Sequence, residues 1–111
     1  MSYKSLVGRV LDLARRAALL EGLQPPDPTV IIVDKLNPSY NVVSEGLAIE
    51  ESSDTVIVEK STVDNMVYRV LAGVFYLAIW NTYMAKTPEK AFELARKYLF
   101  TVLVRLTREE K

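Results

Sequence analysis

The 111-residue sequence contains neither cysteine nor histidine. Without cysteine there is no disulfide framework, no thiolate metal site and no thiol nucleophile. Without histidine the chain lacks the commonest general base, the commonest metal ligand and the side chain that titrates near neutrality. Gln24 is its only glutamine. A shortage of Cys and Gln points weakly toward a thermophilic source, and four asparagines and three methionines point the other way. Charge of one sign is missing too: 14 basic and 14 acidic residues cancel. Net charge therefore supplies no drive toward nucleic acid or anionic membranes. The G-x-S-x-G, Walker and G-x-G-x-x-G patterns do not occur, and no histidine is present to activate a serine or threonine. These absences predict a chain without a catalytic residue, metal ligand or cofactor.

Half of the residues are hydrophobic, enough for one domain over residues 1–111 with a core of its own. Residues 1–22 carry charges throughout, at Lys4, Arg9, Asp12, Arg15, Arg16 and Glu21. That pattern breaks a signal-type run, so a cytoplasmic location is the expectation. The uninterrupted apolar stretch 70–80 is about half the ~20 residues needed to cross a bilayer, and no transmembrane span is expected.

Leu6, Val10, Leu13, Ala17 and Leu20 recur at spacings of four and three, which predicts a helix over 2–20 that Gly22 ends. Residues 29–33 form a β-branched run that reads as a buried strand, and Asn37-Pro38-Ser39 marks a loop over 34–41. Residues 42–50 and 55–60 read as two more strands joined by a polar hairpin. If Glu50 and Thr55 close that hairpin, Glu45 faces Lys60 across it. A second helix runs over 63–84, capped by Ser61 or Thr62 and apolar around most of its circumference, so it must be buried on more than one side. Thr87-Pro88-Glu89 starts a third helix with Thr87 as its cap, and Ala91, Ala95, Tyr98, Val102 and Leu106 form its stripe. The predicted class is α+β in the order α-β-β-β-α-α. A small, three-stranded, mostly antiparallel sheet packs against helices, with the long apolar helix buried between.

Carboxylates are the acid–base groups that remain. Asp34, Glu45, Glu59 and Asp64 are the candidates for a pocket near the sheet and the amino end of the second helix. Trp80 and Tyr83 lie where that helix turns polar and are candidate contacts for a partner. Lys4, Arg9, Arg15 and Arg16 could touch phosphates, but Asp12 and Glu21 dilute them, so nucleic acid is disfavoured.

The stretch from Arg69 to Trp80 resembles the active helix of small zincin metallopeptidases, in which a strand leads into a helix reading R-x-L-x-H-E-x-x-H. Arg69 and Leu71 match that pattern. Gly73, Val74 and Leu77 stand in the slots for the first histidine, the glutamate and the second histidine. None of the three can ligate zinc, and Val74 cannot take a proton from water. The resemblance implies an inactive relative whose metal cavity was refilled with apolar groups, each stabilising by roughly 1.5–3 kcal/mol when buried. The leading functional expectation is a non-catalytic scaffold or interaction domain with a protein partner or a second copy. The alternatives are a small-molecule binder or carboxylate-dependent enzyme with a pocket near the sheet, and a weak nucleic-acid or peripheral membrane binder.

Overall fold

The computed structural model describes residues 3–109, and their order is α1 (Tyr3–Leu20), β1 (Thr29–Val33), β2 (Val42–Ser44), β3 (Leu47–Glu50), β4 (Thr55–Glu59), α2 (Val63–Tyr83) and α3 (Pro88–Glu109). The α+β class stands. The sheet has four strands rather than three and is mixed rather than mostly antiparallel, in the order β1-β4-β3-β2. β2, β3 and β4 form an antiparallel meander, and β1 lies parallel to β4, with Thr29 opposite Thr55 and Val33 opposite Glu59.

Two features account for the difference. The expected strand 42–50 folds back on itself at Glu45-Gly46, because Gly46 adopts φ +73°, a region costly for other residues. The register shifts between Val42 and Ser44, which is the mark of a bulge. The second cause is the reach of residues 34–41. They leave β1 at one edge of the sheet, beside the end of β4, and enter β2 at the other edge, beside the far end of β3. That diagonal is roughly 20 Å at ordinary strand spacing and rise, and eight extended residues span up to roughly 28 Å. The crossing runs over the face away from the helices. Leu36 N–H donates to Glu59 Oε1 at 2.9 Å, and Glu59 shares its face with Ile57. Ala48 and Ile57 are buried although they lie outside the main core.

The opposite face carries Leu47, Ile49, Val56 and Val58, all buried against α2. α1 and α3 flank α2 and touch each other. Every residue of α2 from Val70 to Ile79 is buried. Gly73 permits the close approach: a Cβ there would sit 2.5 Å from Val56 Cγ1. By length and composition α2 is the one described helix that could cross a membrane, but here it is the core helix, and 67 % of its apolar window is buried.

The helix ends follow from their residues. Gly22, at φ +74°, closes α1: Gly22 N–H donates to Leu19 O and Leu23 N–H to Ala18 O, both at 3.0 Å. This is the paired arrangement that satisfies last-turn carbonyls. Thr62 caps α2 by accepting from Asn65 N–H at 3.3 Å. Met84, at φ +56°, ends it and donates to Trp80 O at 2.8 Å. The expected Thr87 cap does not form. Its hydroxyl is buried with no hydrogen-bond partner, while its carbonyl accepts from Ala91 N–H. Glu50 and Thr55 do pair across the hairpin. Glu45, however, lies in the β2–β3 turn outside the ladder, and Lys60 reaches Asp34 at 2.9 Å.

Candidate binding cleft and exposed helix face

A cleft of about 360 Å³ opens where the β2–β3 turn meets the first half of α2 and the first half of α3. The turn contributes Ser44, Glu45 and Leu47. Asn65, Tyr68 and Arg69 come from one face of α2, and Phe92 and Arg96 from one face of α3. Arg69 is the only basic residue of α2. Its Nη1 donates to Glu59 O at 2.8 Å, and its guanidinium lies over Gly46 so closely that a Cβ there would be 2.3 Å from Cζ. Glycine thus serves the turn twice, through its positive φ and through the space it leaves for Arg69. The Tyr68 and Phe92 rings stack at 6.2 Å between centroids and 24° between planes. Arg96 Nη1 reaches Tyr68 Oη at 3.4 Å, a weak contact. No carboxylate of the described residues lies within ion-pairing distance of Arg69 or Arg96.

Of the four candidate acids, only Glu45 lines this cleft. Asp34 is an exposed partner of Lys60. Glu59 turns to the outer face of the sheet and holds Leu36. Asp64 is exposed in the first turn of α2. Among the described residues no three carboxylates converge as a metal site. Gly73, Val74 and Leu77 are buried in the core, and the space beside Gly73 is occupied by Val56.

Trp80 is half-buried, with Lys86 Nζ 5.7 Å from its ring centroid. Lys86 also lies 3.4 Å from Glu51. Tyr83 is 65 % exposed, next to exposed Met84. The arginines of α1 are engaged within the chain: Arg9 donates to Leu106 O, Arg15 to Pro26 O, and Arg16 pairs with Asp12. They do not present a shared basic face.

Two tyrosine–carboxylate contacts tie elements together. Tyr76 donates to Glu51 Oε1 at 2.8 Å, and burial together with that carboxylate pushes the phenol up to about 12. Glu21, just past α1, accepts from Lys97 at 2.7 Å and from Tyr98 at 2.5 Å on α3. These hydrogen bonds, Lys97 first, hold its carboxyl below the usual range.

Sequence reasoning missed two features. Arg69 enters the sequence reading only as part of the zincin-like pattern, although an arginine within an otherwise apolar helix is itself a visible signal, and Arg96 has no such signal on the charged helix α3. Phe100 was also missed. It is 77 % exposed on α3 and lines a shallow groove with Leu103, Val104, Thr107 and Arg108. Its signal is the i, i+4 spacing of Phe100 and Val104, off the buried stripe.

No protein-family model matches the chain, and no curated protein or solved structure is significantly similar to it.

Proposed function

We propose that this protein is a non-catalytic interaction domain that pairs with a second copy of itself through the outer face of α3. The observation that carries this reading is Phe100, a large aromatic residue 77 % exposed in the middle of a helix and flanked by Leu103 and Val104. Contiguous exposed apolar surface on a small domain marks an interaction site, and aromatic anchors dominate such contacts. A two-fold contact places the same patch on both sides. In an antiparallel contact centred on Phe100, Glu93 of one copy comes opposite Thr107 and beside Arg108 of the other, while Arg96 comes opposite Val104. The absence of histidine, cysteine and catalytic motifs supports the non-catalytic part of the reading. Under the zincin resemblance, Gly73, Val74 and Leu77 record a helix kept for packing.

The test is light scattering over a concentration series. The wild-type mass should rise from 12.5 kDa toward twice that value, while Phe100→Glu stays monomeric with an unchanged circular dichroism spectrum. A wild-type protein that remains monomeric at every concentration overturns the pairing.

A further inference from the structure

We propose that the cleft between the β2–β3 turn, α2 and α3 binds a small organic anion, its phosphate or carboxylate oxygens held by Arg69 and Arg96 and its apolar body lying against Tyr68 and Phe92. Arg96 lies one helical turn before Phe100, so the cleft borders the proposed pairing face, but Phe100, Leu103 and Val104 are not among its lining residues.

Arg16, Lys60, Lys86, Lys90 and Lys97 each have a carboxylate within 3.6 Å. Arg69 and Arg96 line one concavity, and neither has such a partner among the described residues. Two cations lining one cleft favour an anion there over a neutral or cationic ligand. Arg69 is half-buried and fixed in place, with one N–H on Glu59 O and its plane over Gly46. A guanidinium carries five N–H donors in a rigid fork, so donors remain for a ligand after that anchor is made. Such forks match the geometry of carboxylate and phosphate oxygens.

The remaining walls suit the rest of such a ligand. The stacked Tyr68 and Phe92 rings offer an apolar surface, and the polar residues Asn65 and Ser44 complete the lining. Ligand sites commonly combine apolar walls with a few convergent polar groups, in volumes of roughly 300–1,000 Å³. The cleft, at about 360 Å³, admits a ligand the size of a substituted ring. Glu45 stands exposed in the turn, where solvent and salt screen its charge. It leaves the lining with a net positive charge.

Titration calorimetry with the full chain tests the site, using phenyl phosphate, benzoate, inorganic phosphate and uncharged phenol as probes. Saturable binding of phenyl phosphate or benzoate, stronger than that of phenol and weakened by added salt, is the expected result. Comparing the phosphate and carboxylate arms identifies which oxyanion fits better. Arg96 is exposed, and Arg96→Gln should leave the fold intact while weakening binding about tenfold or more, as expected for losing a charge-assisted contact. Arg96→Lys should recover part of that loss, and Phe100→Ser, which removes the exposed ring without adding charge beside Arg96, should bind as the wild type does. The proposal is overturned if neither charged probe binds more tightly than phenol, or if Arg96→Gln binds them as well as the wild type.

Discussion

α2 and α3 are nearly equal in length, at 21 and 22 residues, yet they stand in opposite relations to solvent. α2 is walled by β3, β4, α1 and α3, and its middle ten residues are all buried. α3 buries one stripe, at Ala91, Leu94, Ala95, Val102 and Leu106, and shows Phe100 to solvent on another side. In α2 almost every position answers to packing, so its sequence records what the neighbours allow. In α3 a single stripe is enough to hold the helix, and the remaining positions are free to record something else. An exposed phenylalanine on α3 is therefore more informative about function than the much larger apolar inventory of α2.

The largest effect is expected from Gly73→Ala in the packed middle of α2. In an exposed helix this change stabilises by about 0.8–1 kcal/mol. Here the new methyl meets Val56 Cγ1 at 2.5 Å, and the net result should be destabilisation by about 1–3 kcal/mol, as for other overpacked cores. Denaturant unfolding checks the sign. Combining it with Val56→Ala should give a double variant more stable than the sum of the single effects, because the two residues share one contact. Additive losses would show that the close approach of α2 to β4 is not what Gly73 serves.

A smaller effect of opposite sign is expected at the end of α2. Met84 occupies the left-handed region at φ +56° with its side chain exposed. Met84→Gly relieves that strain at little cost in contacts, and it should raise stability by about 0.5–1 kcal/mol after the added freedom of the unfolded chain is counted. A thermal melt that moves downward would mean that the Met84 side chain makes a stabilising contact. The smallest stability effect belongs to α3. Phe100→Glu should stay within about 0.5 kcal/mol of wild type in unfolding measurements at monomer concentrations. A larger loss would make Phe100 part of the core and erase the contrast between the two helices.

Much of the fold is legible in the sequence, because its local signals are strong. Gly22 stops α1, Thr62 caps α2, Pro88 opens α3, and the Glu50–Thr55 register follows from the polar hairpin connector. What was not legible depends on distance or on a single backbone angle. The pairing of β1 with β4 is set by where residues 34–41 cross, and no local pattern encodes that crossing. The turn at Glu45-Gly46 was read as strand interior because Glu-Gly is a weaker hairpin signal than Asn-Gly or Asp-Gly. Thr87 has a capping residue's identity but not its geometry. The four acids were grouped by proximity in sequence, and the sheet disperses them. The cleft gathers Arg69 and Arg96, 27 positions apart, through the packing of α2 on α3.

The diagonal path of residues 34–41 also bears on the order in which the chain assembles. Each β1 residue pairs with one 26 positions further on, whereas β2, β3 and β4 pair through short hairpins. Closing the long loop costs more chain entropy before any contact offsets it. The meander, with α2 laid on it, is thus expected to form before β1 pairs with it, residues 34–41 serving as the strap that brings β1 in. Shortening Ile32 to Val should then accelerate unfolding while leaving the folding rate nearly unchanged, whereas the same kind of change at Ile49 should slow folding.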